Sequence, residues 1–403
     1  MKTGIFGGSF DPVHTEHVAL ARAAVQTLAL DRVFVLPARI PPHKRGRALS
    51  ADEHRIAMLK TAFESVPQAI VSDFELRREG VSYSYLTCAH FAALYPQDTL
   101  YFLVGTDMLR DFPAWKNPEE ILKFCTLAVC DRAERSADWE KKEQAAFFAR
   151  FGKTFQRINY TAKSVSSTQA RVLAAAGDDV SALCGAAVAE YISKNKLYEI
   201  PGAHAALANE KPERREHSLR VGVAAAKKAL ELHIDEKAAV TAALFHDCAK
   251  NLPLSSPLLK GFTPPENAPL PVPAPVLHQF TGAYVANRAF GVTDADILNA
   301  ICYHTSGRAE MSLLEQLVFL ADMVEDGRTY PGAAELRSLY YAEKGGLDFT
   351  MFEALKETLY LLKRKGGDIY PLTAQASAYF ERRVLQNETD GTGKRKAGAD
   401  SRG

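Results

Sequence analysis

The sequence has little that would suit a membrane, a secreted scaffold or a nucleic-acid surface. None of its apolar runs approaches the roughly 20 residues of a membrane span, and no basic segment followed by an apolar core opens the chain as a secretory signal would. The six cysteines never form a CxxC pair, which predicts reduced thiols rather than a zinc ribbon or a disulfide framework. Lys plus Arg (49) nearly balances Asp plus Glu (48), which argues against a broad basic face. We therefore expect a cytoplasmic protein with small-molecule partners, and neither nucleic acid nor membrane among them.

The chain is long for a single hydrophobic core. With 403 residues, of which 47% are apolar and 24% charged, it suits two globular domains of ordinary size. We predict a first domain over residues 1–199, a linker over 200–210 and a second domain over 211–385. Residues 386–403 are polar and glycine-rich, so we predict a disordered tail there. The oligomeric state stays open.

The first half begins with an apolar strand that runs into a glycine-rich turn and two histidines, GIFGGSFDPVHTEH. Gly7 and Gly8 have no Cβ, so a ligand can approach the main chain closely. The N–H groups of such a turn, together with the N-terminus of the following helix, favour a phosphate group. On a helix starting near Pro12, His14 and His17 would share one face. A glycine pair alone is also typical of a tight turn, but the order of strand, glycines and histidines favours a phosphate site.

Strand-like and helical patterns alternate through the first half. Residues 31–37 (DRVFVLP) and 99–105 (TLYFLVG) are short apolar runs typical of buried strands, whereas residues 53–65 have a helical pattern. Strands that alternate with helices imply a parallel sheet. We predict a doubly wound α/β domain that binds ligands at the carboxyl ends of its strands.

Candidate ligand contacts follow these strands. Lys44 lies in the proline-stiffened loop IPPHK, which would deliver a cation to a phosphate. Asp107 could accept hydrogen bonds from sugar hydroxyls or cap a helix. Trp115, in the polar segment FPAWKNPEE, could stack on a planar heterocycle or belong to the core. Further N-cap and phosphate-binding groups are expected in SVSSTQAR, which contains Ser166, Ser167, Thr168 and Arg171.

These pieces together resemble the bacterial nicotinate mononucleotide adenylyltransferases over residues 1–199. The shared segments keep their order: GGSFDPVHTEH, LPARIPPHK, EHRIAML, FELRREGVSYSYLT, LVGTDML, FPAW, SVSSTQAR and YISKNKLYE. The resemblance implies transfer of AMP from ATP to nicotinate mononucleotide, with release of pyrophosphate and with Mg²⁺ accompanying the ATP. It also implies that His14 and His17 are the catalytic phosphate contacts. The implied ATP and substrate contacts are Gly7, Gly8, Ser9, Phe10, Lys44, Gly105, Asp107, Trp115, Ser166, Ser167, Thr168 and Arg171.

Glu16 departs from that pattern, because the family has a glycine at this position. A carboxylate in the first turn of a helix is favoured by about 0.3–1 kcal/mol, but a carboxylate aimed at ATP would repel it. We expect the side chain to turn toward solvent or a basic neighbour, with activity retained. The alternative is a first domain that is silenced by Glu16 and acts as a nucleotide sensor regulating the second half.

The second half has a helical pattern throughout, which predicts an all-α domain, with an exposed proline-rich loop over residues 253–275. A single buried histidine is more often a core residue than a ligand. His246 beside Asp247 in an apolar helix is different, because two polar groups there are costly unless something is bound. Imidazole and carboxylate together suit zinc, iron or manganese. The candidate ligands are His217, His246, Asp247, His278, His304 and Asp322.

This arrangement resembles the HD superfamily of metal-dependent phosphohydrolases. The segments HSLRV, ALFHDCAK, LHQFTGAYVA, ICYHTSGR and FLADMVEDGR further resemble the symmetrical diadenosine tetraphosphate hydrolases over residues 210–382. The resemblance implies that the six ligands hold two divalent metal ions, with iron the expected metal. It implies that water activated by these ions cleaves a dinucleoside polyphosphate into two ADP. Asp247 and Lys250 would take part in catalysis, and Lys250 and Arg308 would contact phosphate.

The two resemblances together predict a bifunctional enzyme. Adenylyl transfer to ATP itself would make diadenosine tetraphosphate, so the first half could supply a substrate to the second. Other substrates stay open: nicotinamide mononucleotide, phosphopantetheine or ribitol phosphate as acceptors, and nucleotidase or cyclic-dinucleotide phosphodiesterase activity in the HD half.

Overall fold

The computed structural model describes residues 1–42, 48–131, 137–343, 346–364 and 366–397. Lys44 lies outside these residues, so its predicted phosphate contact stays a prediction. The chain forms two compact units: Met1–Ala174 with Asp179–Leu197, and Ala175–Asp178 with the chain from Tyr198 onward.

The first unit is built on a six-stranded parallel sheet. Its strands are β1 (Lys2–Gly8), β2 (Arg32–Pro37), β3 (Ala69–Val71), β4 (Thr99–Gly105), β5 (Cys125–Asp131) and β6 (Gln156–Thr161), in the order β3-β2-β1-β4-β5-β6. The strand order reverses at β1, which pairs with β2 on one side and β4 on the other. In such sheets the ligand crevice opens at the carboxyl ends of the two strands that flank the reversal.

Nine helices are described in the first unit. They are α1 (Thr15–Leu28), α2 (Asp52–Phe63), α3 (Ser84–Leu94), α4 (Thr106–Asp111), α5 (Pro118–Phe124), α6 (Ala137–Phe151), α7 (Ser167–Ala175), α8 (Ser181–Cys184) and α9 (Ala186–Lys194), with a 3₁₀ turn at Phe112–Ala114. The apolar run of β4 is buried in the core, as expected for a central strand covered on both faces. The predicted doubly wound α/β fold is confirmed, including the strands expected near residues 31–37 and 99–105.

The start of α1 differs from the prediction. The helix begins at Thr15 rather than near Pro12, and His14 is its N-cap in an extended conformation. The carbonyl oxygens that would begin an earlier helical turn are used elsewhere. Ser167 Oγ donates to Pro12 O (2.8 Å), and Arg171 Nη1 donates to Asp11 O (2.7 Å). Tertiary contacts therefore hold the segment before His14 in a turn.

The second unit is helical, and no strand is found among its described residues. Its helices are α10 (Ala203–Ala208), α11 (Pro212–Glu231), α12 (Glu236–Phe245), α13 (Ala274–Phe290), α14 (Ala295–Cys302), α15 (Leu313–Val324), α16 (Ala333–Ala342), α17 (Asp348–Arg364) and α18 (Pro371–Ala397), with a 3₁₀ turn at Pro257–Leu259. The predicted all-α domain is confirmed. Within the described ranges, no helix combines the length and apolar character needed to cross a membrane.

Two segments differ from their predicted character. The stretch predicted as a linker contains helix α10, whose Ala203, Ala206 and Leu207 are buried, because the small apolar side chains pack as a helical face. The tail predicted to be disordered from Gln386 is helical as far as Ala397. That stretch continues a helix already anchored by the buried Phe380.

Arg55, on α2, braces the carboxyl edge of the sheet from inside the fold. Its side chain is only 1% exposed. Nη1 donates to the carbonyl oxygens of Ala38 (2.6 Å) and Ser9 (3.1 Å), which follow β2 and β1. The charge is balanced by Asp52. Arg55 therefore holds the ends of two neighbouring strands where the glycine turn begins.

We predict that Arg55→Met destabilises the first unit by about 2–4 kcal/mol, because two buried carbonyl groups lose a charged donor. Both tryptophans of the chain, Trp115 and Trp139, belong to this unit, so denaturant unfolding followed by tryptophan fluorescence reports on it alone. The matched control is Arg77→Met. Arg77 forms an exposed ion pair with Asp73, and its loss should change stability by no more than about 0.5 kcal/mol.

Candidate functional sites

The glycine turn after β1 is shaped by the ring of Phe10. A Cβ on Gly8 would lie 3.0 Å from that ring, so any other residue there would push against Phe10. Phe10 itself is buried, with a positive φ of 46°, and its ring packs edge-on against His17 with ring centroids 4.9 Å apart. Phe10, predicted as an ATP contact, thus supports the position of a catalytic candidate.

The two histidines predicted to share a face lie side by side. The rings of His14 and His17 are stacked, with centroids 3.6 Å apart. The backbone N–H of His14 donates to His17 Nδ1 (3.1 Å). Because Nδ1 of His17 accepts a hydrogen bond, its Nε2 carries the proton in the neutral ring and is a donor. A stacked pair of imidazoles at a helix N-terminus suits an anion.

The segment SVSSTQAR is joined directly to the histidine turn. Ser166 Oγ accepts from the backbone N–H of Gln169 (3.2 Å), as a helix N-cap does. Arg171 is buried and its second Nη donates to Thr168 Oγ1 (3.1 Å). With the bonds from Ser167 and Arg171 to the turn before His14, two helix N-termini are brought together. The sequence predicted phosphate contacts at the start of α1 and at the start of α7, and in the structure these two helix starts are joined by hydrogen bonds.

Glu16 is not exposed, and its partners among the described residues are a phenol and a backbone N–H rather than a basic side chain, so the expected orientation is wrong. It is 8% exposed. Its Oε2 accepts hydrogen bonds from Tyr160 Oη and from the backbone N–H of Lys163, both at 2.7 Å. Burial, followed by the nearby Glu16 carboxylate, raises the pKa of Tyr160 to about 12, so the phenol remains a donor. Two protein donors therefore satisfy the carboxylate.

The remaining predicted contacts follow β4 or the 3₁₀ turn beyond it. Gly105 is the N-cap of α4, which leaves Asp107 exposed in the first turn of that helix rather than at its cap. Trp115 is half-buried and packs edge-on against Phe102, with ring centroids 6.1 Å apart. The predicted contacts of Asp107 and Trp115 with substrate stay predictions.

The sequence analysis assigned no role to Glu75, within the segment FELRREGVSYSYLT. The side chain is buried, and Thr87 Oγ1 donates to its Oε1 (2.7 Å). A Cβ on Gly7 would lie 3.9 Å from the same oxygen, so Glu75 faces the turn. Burial raises the pKa of Glu75 above its usual value. Its signal in the sequence was weak, because a lone Glu is ordinarily a solvated residue.

In the second unit, five helical segments bring six ligand candidates together. His217 lies on α11, His246 is the C-cap of α12, and Asp247 follows it. His278 lies on α13, His304 follows α14, and Asp322 lies near the end of α15. Gly282 permits this approach, because a Cβ there would lie 3.1 Å from His246 O.

The ligand atoms of these six residues form one continuous cluster. His217 Nε2 lies 2.8 Å from Asp322 Oδ1, which lies 3.9 Å from His246 Nε2. Asp247 Oδ1 lies 3.3 Å from His278 Nε2 and 3.5 Å from His304 Nε2. Two sets have all their ligand atoms within 4.8 Å of one another, and they share His246: His217, His246 and Asp322, and His246, Asp247 and His304.

Hydrogen bonds at Nδ1 orient three of the imidazoles so that Nε2 faces the cluster. Nδ1 of His246 lies 2.6 Å from Ala243 O, and Nδ1 of His304 lies 2.7 Å from Ile301 O. Each Nδ1 must carry a proton to donate to its carbonyl, which leaves Nε2 as the ligand atom of the neutral ring. His217 Nδ1 is similarly held by Glu325 Oε1 at 3.1 Å. Glu325 had no assigned role in the sequence analysis.

The protonation states of most ligands suit metal ligation, whereas Asp247 raises the pKa of His246 against the effect of burial. Burial lowers the pKa of His304 to about 4, so the imidazole is neutral at pH 7. Burial opposes ionisation of Asp247, but the surrounding imidazoles hold the pKa of this carboxyl well below its usual range. His217 and Arg328 likewise hold the pKa of Asp322 well below its usual value, against the effect of burial. Neutral imidazoles and ionised carboxylates are the forms that bind metals.

Cationic side chains contact the two aspartates of the cluster. Lys250 Nζ lies 3.1 Å from Asp247 Oδ2, as expected from its place after the HD pair. Arg214 Nη1 lies 2.9 Å from the same oxygen, and Arg328 contacts Asp322 Oδ1. The sequence analysis did not single out Arg214 or Arg328, because only the fold shows which arginines converge. All three cations are about 30% exposed, whereas the ligands are mostly buried.

Arg308, the other predicted phosphate contact, is held by a carboxylate. Its Nη2 lies 2.6 Å from Glu315 Oε1, and its guanidinium lies over the ring of Tyr303 at 4.6 Å from the centroid. Glu315 belongs to the capping box that starts α15. This arrangement stabilises the helix that carries Asp322, and the phosphate contact of Arg308 stays a prediction.

The cluster fits divalent metal ions by its own chemistry. His246 Nε2 is buried and has no hydrogen-bond partner of good geometry among the described residues, although it lies 3.4 Å from Asp247 Oδ2 and 3.9 Å from Asp322 Oδ1. A buried polar atom without a partner is costly unless an ion or water meets it. Four imidazoles and two carboxylates are donors typical of iron, zinc and manganese sites. The residues can therefore hold divalent cations.

Comparison with known proteins agrees with this division. Residues 5–172 match the cytidylyltransferase-like family model and residues 214–326 match the HD domain model. The first unit is thus a nucleotidyltransferase domain and the second an HD hydrolase domain.

Relatives with both domains give the particular family. The chain is 32% identical over 363 residues to a Mycoplasma genitalium protein named probable nicotinate-nucleotide adenylyltransferase/Ap4A hydrolase, covering 89% of this chain and 98% of that protein. It is 29% identical to the Mycoplasma pneumoniae protein of the same name, covering 81% and 89%. The chain belongs to this family of two-domain proteins. A solved HD superfamily hydrolase from Clostridium acetobutylicum, described as involved in NAD metabolism, is 31% identical with a TM-score of 0.40, covering 45% of this chain and 95% of that one.

We predict that Asp247→Asn lowers metal content in the purified protein, because this carboxylate lies within 3.5 Å of three of the imidazole ligands. Removal of an outer-shell partner of a metal ligand lowers metal affinity by about 10–100-fold. Removal of a ligand itself should lower the affinity by at least as much. Elemental analysis after dialysis against a weak chelator measures it. The matched control is Asp326→Asn, because Asp326 is a nearby but 73% exposed carboxylate. Equal metal content in the two variants would contradict the assignment.

Proposed function

We propose that this protein is a cytoplasmic bifunctional enzyme of nucleotide metabolism. The first domain transfers AMP from Mg²⁺-bound ATP to nicotinate mononucleotide, giving nicotinate adenine dinucleotide and pyrophosphate. The second hydrolyses diadenosine tetraphosphate to two ADP. The observation that carries the first activity is the pairing of the stacked histidines at the start of α1 with the hydroxyl-rich start of α7. The names of the two-domain relatives from Mycoplasma support the same pair of activities.

Adenylyl transfer needs positioning more than it needs a nucleophilic side chain. The acceptor phosphate is already an anion, and it attacks the α-phosphorus while pyrophosphate leaves. His14 and His17 donate hydrogen bonds to the phosphates, and the α7 start (Ser166, Ser167 and Thr168) binds the triphosphate from the other side. Stabilisation of the charge that develops on the phosphoryl oxygens lowers the barrier. Trp115 and Asp107 bind the acceptor at the end of β4.

The environment of Glu16 favours a working transferase over a silenced sensor. A carboxylate that pointed at ATP would repel the phosphates, but that of Glu16 accepts hydrogen bonds from Tyr160 and Lys163. Its charge is directed to the loop before α7. His14, His17 and the start of α7 lie beside this carboxylate, and the two histidine rings are stacked. The sequence change at the family glycine therefore leaves the phosphate-binding groups in position.

In the HD domain, six side chains would bind metal ions and three cationic side chains would bind the phosphates of a polyphosphate substrate. His217, His246, Asp247, His278, His304 and Asp322 hold two divalent ions, for which we propose iron. When bound, such ions supply Lewis-acid stabilisation of phosphate charge and lower the pKa of water. Lys250, Arg214 and Arg328 bind the phosphate oxygens on either side of the bond to be cleaved. Because the cations contact Asp247 and Asp322 separately, phosphates on both sides of that bond can be held.

The three cations also favour a dinucleoside polyphosphate over a simple monoester. A nucleotidase substrate has a phosphate on one side of the cleaved bond only, so it would leave part of this cation set without a partner. The arrangement therefore supports cleavage between two phosphates, and the family resemblance implies that the cleavage is symmetrical, with ADP on each side.

We predict that the two activities can be removed separately. His17→Ala should lower kcat/KM for nicotinate mononucleotide and ATP by about 10²–10³-fold, because a donor to the transition-state charge is lost. It should leave the hydrolysis of diadenosine tetraphosphate unchanged. Asp247→Asn should do the reverse, lowering hydrolysis by at least about 10–100-fold.

Chromatography of both reaction mixtures measures both activities in each variant. ADP as the only nucleotide product of diadenosine tetraphosphate would support symmetrical cleavage. Equal amounts of ATP and AMP would contradict it, and loss of both activities in either variant would argue against two separate sites.

A further inference from the structure

The carboxylate of Glu16 joins two parts of the first domain that both belong to the proposed phosphate site. It lies in the first turn of α1, directly between His14 and His17 in the chain. Its two donors, Tyr160 Oη and the Lys163 backbone N–H, lie at the end of β6 and in the loop that follows. We call Glu16, Tyr160 and Lys163 the Glu16 clasp.

The loop over residues 162–166 connects β6 to α7 and is held at both ends. At its far end, Ser167 and Arg171 donate to the carbonyl oxygens of Pro12 and Asp11. At its near end, Lys163 donates to Glu16. Strand β6 has independent attachments, since the Asn159 N–H donates to Thr27 Oγ1 on α1 (3.2 Å). The Ala162 N–H also donates to Asp131 O (2.8 Å), so loss of the Glu16 carboxylate would release the loop from Lys163 onward without releasing the strand.

The space beside the clasp gives the loop room to move. A cavity of about 570 Å³ is lined by Thr15 and Glu16 on α1, by Tyr160, Lys163 and Val165, and by the first residues of α9. Because this volume adjoins the loop, release of Lys163 would let the loop shift into it. Ser166, which caps α7, lies three residues beyond Lys163, so such a shift would move the cap of α7 while the bonds of Ser167 and Arg171 hold the residues that follow it.

We infer that Glu16 is a positioning residue, which sets the loop over residues 162–166, and with it the cap of α7, for ATP binding. The inference rests on the proposed adenylyl transfer. Glu16 acts through hydrogen bonds to Tyr160 and Lys163, and the property it needs is a buried acceptor oxygen rather than a negative charge. It thereby replaces the family glycine with a bond that organises the site.

Four variants test this inference by steady-state kinetics. Glu16→Gly removes the acceptor and should raise KM for ATP roughly tenfold, with KM for nicotinate mononucleotide unchanged. Glu16→Gln keeps one oxygen that can accept both hydrogen bonds and should match the parent protein within about twofold. Tyr160→Phe removes one donor and should give an intermediate KM for ATP. The matched control is Glu53→Gly, in the first turn of α2, where Glu53 is exposed and should leave both KM values unchanged.

Hydrogen–deuterium exchange supplies a readout that is independent of turnover. Peptides covering residues 162–166 should exchange roughly tenfold faster in Glu16→Gly than in the parent protein, and α,β-methylene-ATP with Mg²⁺ should slow the exchange again. A purely structural role would raise exchange across β6 and α1 as well and would not separate the two KM values.

Each outcome is decisive. If Glu16→Gln behaves like Glu16→Gly, charge rather than hydrogen bonding is needed and the inference is wrong. Unchanged loop exchange in Glu16→Gly would also overturn it. If the parent protein makes no dinucleotide while loop exchange still follows the pattern above, the proposed transferase activity fails and the clasp stands.

Discussion

The ionised carboxylate of Asp247 is the group on which the second site depends. A buried negative charge is costly, and this one is stabilised by imidazoles on one side and by Lys250 and Arg214 on the other. Helices α11 to α15 must approach closely enough to surround it, and Gly282 and the backing carbonyl groups serve that approach. The packing of α11 to α15 around the cluster thus provides partners for a few buried charges.

The phosphate site proposed for the first domain is built differently. It would use helix N-termini, hydroxyl groups and two stacked imidazoles, which are weaker donors that need accurate placement. Buried arginines provide that placement: Arg55 holds the strand ends and Arg171 holds the turn before His14. In the HD domain, charged side chains gather at the ligand cluster itself. In the first domain, the buried arginines mainly hold the backbone around the proposed site.

Much of this could be predicted from the sequence, for identifiable reasons. The buried run of β4 and the helical periodicity of the second half are local signals, so both fold classes followed from them. His246 beside Asp247 is unusual enough in an apolar helix to indicate a ligand site. The motifs of both halves supplied the remaining candidates through their resemblance to known families.

Other features needed the fold. The orientation of Glu16 depends on Tyr160 and Lys163, which lie about 145 residues away in the chain. Arg214 and Arg328 are ordinary arginines until α11 and the end of α15 are brought together. The stretch over residues 200–210 has the composition of a linker, yet burial of three small apolar side chains makes it a helix. Tertiary contacts decide each of these.

The most direct test of the account is whether the first domain turns over with Glu16 in place. The purified full-length protein would be incubated with Mg²⁺, ATP and equal concentrations of nicotinate and nicotinamide mononucleotides, and the products separated by chromatography. The account predicts that nicotinate adenine dinucleotide accumulates, ahead of the amide product. If neither dinucleotide forms while α,β-methylene-ATP still binds, the first domain is a nucleotide sensor and the account is contradicted.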